Sequence, residues 1–338
     1  MDYLLGKTTK MEIMNNYGVV IIPAGSVITA QSIRLLQLHK IDPSFIRSSI
    51  QIQSNRSVED LLGKAVTSCV EEFKQMFELT AATGKVPLND IRKRILPMIT
   101  ELGHNKHVFE LFDAVKAKDE YTHVHNVGVS ILSTLIGNWL KLEPKELDAL
   151  ALAGLLHDVG KIRLPIQLLT KPGKLTAEEY DLVKKHAIYG YEILKKTPGI
   201  SGRVARVALQ HHEREDGEGY PLGLKKEHID FFSSIVAVAD IFHAMYSVRP
   251  YHEPLSFHEI ITQMNDGRFG KLNPQIVSLF IENIMERLVG QKVLLTSGQL
   301  GEVVYLNPHA FDRPLIKAGE AFIDLSKIRD VHIKEIVQ

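Results

Sequence analysis

Apolar residues recur at three- and four-residue spacings through most of residues 58–287. That is the period at which one face of an α-helix repeats. The pattern predicts helices over 58–82, 88–103, 106–118, 121–141, 144–158, 176–196, 199–214, 231–246, 256–266 and 274–288. Breaks fall at Gly84, Pro144, Pro172-Gly173, Pro198-Gly199, the run from Gly217 to Pro221, and Pro250. About ten helices with apolar faces pack naturally as a bundle. Ahead of them, Val19-Val20-Ile21-Ile22 reads as a short strand closed by Pro23-Ala24-Gly25. Thr29 reads as the N-cap of a helix over Ile33, Leu35, Leu36 and Leu38. Ser54 to Ser57 reads as a polar linker. After Gly290, Lys292–Leu295, Gly301–Leu306 and Ala321–Leu325 read as short strands. The expected fold is mainly α: a helical bundle, a small mixed N-terminal segment and a small β C-terminal appendage.

Composition narrows the partners. Lys+Arg and Asp+Glu are equal at 40 each, so the chain is not a general binder of nucleic-acid polymers, which needs an excess of base. Cys69 is the single cysteine, which excludes a disulfide framework and points to a reducing cytoplasm. The N-terminus lacks the basic and apolar regions of a signal peptide, and no apolar run reaches the roughly 18 residues of a membrane span.

The 15 histidines carry the chemistry. Metal-ligand residue types are spaced through the helical block: His125, His157-Asp158, His186, His211-His212 and Asp240. Successive groups are separated by about one helix and one connection, so a bundle can bring them to a common interior. Imidazole and carboxylate donors suit iron, manganese, zinc or nickel. A lone helical histidine such as His107 or His258 is ordinarily solvated. His157-Asp158 differs, because it ends the almost wholly apolar run Leu147 to Leu156, and Asp240 follows Ile235 to Ala239. Charges at the ends of buried helices need partners, and a metal supplies one. Adjacent helical residues diverge by about 100°, so each pair can straddle a space. Seven ligands exceed the needs of one ion, and two ions bridged by Asp158 are the economical arrangement.

The extended pattern is specific. It comprises Leu155-Leu156-His157-Asp158-Val159-Gly160-Lys161, Lys171-Pro172-Gly173-Lys174-Leu175-Thr176, His186, the run from His211 through Gly219-Tyr220-Pro221, Val238-Ala239-Asp240, and Arg249-Pro250-Tyr251. Over about residues 120–280 it resembles the HD-GYP family, a branch of the HD metal-dependent phosphohydrolase superfamily. The resemblance implies an HD-type bundle that hydrolyses cyclic di-GMP to pGpG, with GMP as an optional further product, through a metal-activated hydroxide. It implies a pair of divalent ions, iron or manganese with zinc, nickel or cobalt as alternatives, held by the seven residues above. The division that follows is residues 1–95 as a regulatory or dimerisation region, 96–289 as the catalytic domain and 290–338 as the appendage. A homodimer and protein partners docking on the N-terminal region are expected.

Single residues take expected roles. Asp158 and Lys161 are catalytic. Lys161, four residues after His157, would share its helical face and hold the scissile phosphate. Arg249 offers a planar fork to phosphate. Tyr220 would stack on a guanine or reach a phosphate, Glu213 and Asp216 would back the ligand histidines, and Lys171 would help to close the site. Three positions depart from the family. Tyr121 stands where some members carry a glutamate that adds a third metal, which favours two ions. Asn126-Val127-Gly128-Val129 replaces a common Ser-x-Arg-Val. His243 stands where many members have a lysine or an acidic residue, and is expected to touch phosphate or metal. The competing readings are a cyclic dinucleotide receptor with little turnover and an HD-type mononucleotidase. The intact ligand set disfavours the first and the Gly-Tyr-Pro block the second.

Overall fold

A computed structural model describes residues 8–9, 11–15, 18–39, 41, 50–51, 56–116, 121–171, 173–247, 255–267, 271–307 and 310–337. Arg249, with its neighbours Pro250 and Tyr251, lies outside them, as does the side chain of Tyr121.

Helix starts follow the capping residues. Thr29 caps α1 (Ala30–Leu38) through a reciprocal box with Ser32, and Thr176 does the same with Glu179 for α7 (Ala177–Lys184). Each box satisfies two backbone donors that the first turn leaves unpaired. Around α1, antiparallel strands β1 (Thr8–Thr9) and β4 (Ile50–Gln51) pair, as do β2 (Ile13–Met14) and β3 (Val20–Ile22). Ile13, Ile22, Ile28, Ile33, Leu36 and Ile41 form a small core there. Two compact units divide between Leu61 and Leu62.

The larger unit holds the helical block. Helix α2 (Arg56–Thr83) starts inside the stretch expected as a linker. A π-helical segment, Ile91–Ile95, leads into α3 (Leu96–Gly103), followed by α4 (Val108–Val115), α5 (Tyr121–Trp139) and α6 (Pro144–Leu156). A 3-10 turn, Val159–Arg163, follows α6. The helix expected over 176–196 breaks at Lys185 into α7 and α8 (His186–Lys195). Then come α9 (Gly202–Gln210), α10 (Phe231–Tyr246), α11 (Phe257–Asn265) and α12 (Pro274–Leu288). The C-terminal strands β5 (Lys292–Leu295), β6 (Leu300–Asn307), β7 (Ala310–Ala318), β8 (Ala321–Asp324) and β9 (Ile333–Val337) form one antiparallel sheet in the order β8-β7-β6-β5-β9. Strands β7 and β9 were not expected. Among the described residues no helix is long and apolar enough to cross a membrane.

Close helix approaches set the site. Helices α5 and α6 meet where Ser130 Oγ donates to the Ala151 carbonyl at 2.6 Å and Asn126 Nδ2 to the Leu155 carbonyl at 3.3 Å. A Cβ on Gly154 would lie 2.9 Å from Ser130 Cα, so this crossing needs glycine. The 3-10 turn packs on α8 in the same way: a Cβ on Gly160 would fall 1.9 Å from the His186 carbonyl oxygen and 2.4 Å from Gly190 N. Replacing Gly160 by alanine should push the turn off α8. The expected loss is about 1–3 kcal/mol, the usual cost of overpacking. Chemical denaturation of Gly160→Ala beside the parent chain measures it, and an unchanged midpoint would show the contact to be soft.

Candidate metal centre

Five helices deliver the seven candidate ligands to one place. His125 comes from the first turns of α5, His157 caps the end of α6, and Asp158 starts the 3-10 turn. His186 opens α8, His211-His212 end α9, and Asp240 lies on α10. All are buried except His212, which is partly exposed.

Asp158 is the shared point. Its Oδ1 lies 3.2 Å from His186 Nε2 and 3.8 Å from His211 Nε2, while Oδ2 lies 3.4 Å from His157 Nε2 and 3.9 Å from His125 Nε2. Donor atoms fall into two compact sets, Asp158 with His186, His211 and His212, and Asp158 with His125 and His157. Asp240 joins both sides, with Oδ1 3.1 Å from His125 Nε2 and Oδ2 3.9 Å from His212 Nδ1.

The backbone settles three of the imidazole tautomers. A carbonyl only accepts, so the ring nitrogen facing one carries the hydrogen. His157 Nδ1 lies 2.7 Å from the Gly154 carbonyl, His186 Nδ1 2.7 Å from that of Val183, and His211 Nδ1 3.1 Å from that of Ala208. In their neutral forms each therefore turns a bare Nε2 towards Asp158. His157 Nε2 and Asp158 Oδ1 are buried without a hydrogen-bond partner. Unpaired buried polar atoms are costly, and these two belong to the candidate ligand set. The residues therefore fit a divalent-metal site of nitrogen and oxygen donors.

Electrostatics agree for every candidate ligand except His157, which Asp158 draws towards its protonated form. Burial alone would raise the Asp158 carboxyl, but Lys161 and His157 beside it hold it well below the usual carboxylate range. Asp240 is likewise held low against burial, chiefly by its hydrogen bond with His125. Burial pushes His211 down to about 3, helped by His157 and His186, and it lowers His125, His186 and His212 as well. His157 moves up, because Asp158 outweighs its burial. Ionised carboxylates and neutral imidazoles are the forms that bind metal.

Lys161, Glu213 and Asp216 make contacts other than those expected of them. Helix α6 stops at Leu156, so Lys161 does not continue a face with His157. The 3-10 turn brings its Nζ onto Asp158 Oδ2 instead. The carboxylates of Glu213 and Asp216 hydrogen-bond to loop backbone rather than to the candidate ligand histidines. The Glu213 oxygens accept from Leu222 N at 2.7 Å and Leu224 N at 2.8 Å, and Asp216 accepts from Glu218 N and Lys271 N. Lys171 is engaged by Glu179 at the start of α7. Tyr220 lies beside the ligands, its ring centroid 4.5 Å from that of His212. His243 is buried behind His125, with Nδ1 facing His125 and Nε2 facing the Val115 carbonyl.

Comparison with known proteins agrees with this geometry. A model of the HD-domain family matches residues 110–276. The chain is 38% identical over 203 residues to a cyclic di-GMP phosphodiesterase of Pseudomonas aeruginosa, covering 60% of this chain and 49% of the relative. Residues 110–276 thus read as an HD domain. It is also 37% identical over 172 residues to 3'3'-cGAMP-specific phosphodiesterase 1 of Vibrio cholerae, covering 51% of this chain and 40% of the relative. The chain thus spans about half the length, or less, of these curated relatives. An HDG"Y"P protein of Bdellovibrio bacteriovorus shares the fold, with a TM-score of 0.54 and 17% identity over 84% of this chain and 97% of that one.

Within the run from His211 to Pro221, sequence reasoning missed Glu213 as the anchor of the Gly-Tyr-Pro loop. A buried acidic residue two positions after a ligand histidine was legible, but its backbone partners nine and eleven residues on were not. Glu213→Gln puts an amide donor against one of two backbone N–H groups. An unmade buried hydrogen bond costs about 1–3 kcal/mol, so the variant should melt earlier by a corresponding amount, and fluorescence of a Tyr220-directed probe should report a looser loop. A wild-type melting curve would remove the anchoring role.

Proposed function

We propose that this chain is a metal-dependent phosphodiesterase that hydrolyses cyclic di-GMP to pGpG, with GMP as an optional further product. The observation that carries the reading is the pair of donor sets meeting at one carboxylate, Asp158. The name of the Pseudomonas relative supports the substrate. The Vibrio relative's name makes 3'3'-cGAMP the second substrate to test.

In this reading His125, His157 and Asp158 hold one ion, and Asp158, His186, His211 and His212 the other, with Asp240 between them. Iron or manganese suits the nitrogen and oxygen donors, with zinc, nickel or cobalt as alternatives. When bound, the two ions supply an acidified water and an electrophilic grip on phosphate. The chain supplies orientation. Backbone carbonyls hold the imidazoles with Nε2 inward. Lys161, partly exposed beside Asp158, is placed to meet the negative charge of the scissile phosphate. Tyr220 offers its ring at the His212 side of the site for a base or a phosphate. Arg249 is assigned to phosphate on sequence grounds. Residues 1–95 as a regulatory, dimerising or partner-docking region, 290–338 as an appendage, and a cytoplasmic setting for the single Cys69 complete the reading.

The test is direct. The chain is purified anaerobically, loaded with Fe(II) or Mn(II), and given cyclic di-GMP or 3'3'-cGAMP while products are separated by chromatography. Cyclic di-GMP should give pGpG, and Asp158→Ala should lose at least about 100-fold in rate, the upper range for perturbing a ligand's support. Turnover indifferent to Asp158→Ala sinks the site. Tight binding without turnover makes the chain a receptor.

A further inference from the structure

Among the described residues, His243 is the one buried histidine beside the centre that belongs to neither donor set. Its surroundings are specific. Nε2 lies 2.9 Å from the Val115 carbonyl. That nitrogen therefore donates, and a neutral imidazole then has a bare Nδ1. His243 Nδ1 faces His125 Nδ1 at 3.1 Å, with Ser247 Oγ also 3.3 Å away. A single proton bridges the two ring nitrogens. Placing it on His243 would make that buried ring a cation, at the cost of desolvating a charge. The proton therefore sits on His125 Nδ1, and His125 Nε2, which here hydrogen-bonds Asp240 Oδ1 at 3.1 Å, is the nitrogen that would give up its hydrogen to bind an ion.

Helix α5 makes room for this arrangement. A Cβ on Gly128, one turn beyond His125, would lie 2.2 Å from His243 Nε2 and 2.4 Å from its Cδ2. The His243 ring occupies the slot that the missing side chain leaves. The other three buried ligand histidines are oriented by backbone carbonyls. His125, in the first turns of its helix, is oriented by a side chain from α10.

We propose that His243 is a positioning residue: it accepts the His125 Nδ1 hydrogen and, seated in the Gly128 slot, aims His125 Nε2 at the metal centre. This rests on His125 being a metal ligand, and the experiment separates the two claims. His243→Phe fills the slot without an acceptor, His243→Asn restores an acceptor near the Nδ1 position, and His125→Ala removes the ligand itself. Each full-length variant is titrated anaerobically with Mn(II), and bound metal per chain and the Mn(II) electron paramagnetic resonance spectrum are recorded, with circular dichroism to check the fold. His243→Phe should weaken one Mn(II) equivalent by roughly 10–100-fold, as loss of an orienting partner does, and His243→Asn should recover most of it. A merely space-filling role predicts the reverse order, with Phe near wild type and Asn impaired, and that order overturns the proposal. If His243→Phe does not fold, the Asn variant decides: both equivalents bound supports the proposal, and loss matching His125→Ala overturns it. Unchanged metal content in His125→Ala overturns the ligand assignment on which the proposal stands, whereas loss in His125→Ala with none in His243→Phe overturns the positioning role alone.

Discussion

Asp158 is an ionised carboxylate at 2% exposure with four imidazoles within 3.9 Å and a lysine on one oxygen. Removing such a group from water costs several kcal/mol unless charge and hydrogen bonds are returned to it. The bundle returns them from every side, and that requirement dictates how close its helices must come. Gly154 lets α6 approach α5, and Gly160 lets the 3-10 turn sit on α8. An added methyl group at either point would separate the carboxylate from the groups that compensate it. The apolar core around Leu150, Leu155, Val207, Val238 and Ala239 thus fixes an electrostatic geometry as well as burying surface.

The candidate ligands His157, His186 and His211 sit at helix ends for a related reason. The last turn of a helix leaves carbonyls without an internal partner, and an imidazole there can donate Nδ1–H to one of them. His157 uses Gly154 at the end of α6, and His211 uses Ala208 at the end of α9. His186 uses Val183, in the last turn of α7. An unbroken helix over 176–196 would commit that carbonyl to the backbone N–H four residues on. At the break at Lys185 that carbonyl instead accepts the His186 Nδ1 hydrogen at 2.7 Å.

That break shows where sequence reading ended. The apolar spacing over 176–196 is helical throughout, and nothing in Lys185 itself signals a stop; the demand comes from a histidine whose partners lie on other helices. By contrast, α10 and α12 begin and end where the pattern places them, because Asp230 and Asn273-Pro274 cap their starts locally. Lys161 was matched to Asp158's neighbourhood by the motif, but its route there depended on a 3-10 turn that helical periodicity cannot distinguish from one more α-turn. Strand β7 escaped notice because Asp312, Arg313 and Pro314 interrupt its alternation. The candidate ligands were legible as a set because burial of His and Asp beside long apolar runs is chemically unusual. The tautomers were not, since they depend on carbonyls that only the folded backbone brings near.

The run from His211 to Pro221 reads as one motif, yet it divides physically. His211 and His212 face the carboxylates. Glu213 turns the other way and grips the backbone at Leu222 and Leu224, while Asp216 grips Glu218 and Lys271. Tyr220 N also donates to the His212 carbonyl at 3.2 Å, tying the loop back to a candidate ligand. A Cβ on Gly219 would lie 2.4 Å from Arg214 N, so the loop can fold onto its own start only with glycine there. The acidic residues therefore shape the loop that carries Tyr220, and the glycine lets it close. Spacing within the motif is set by that closure, which holds an aromatic ring against His212 whatever ligand it meets.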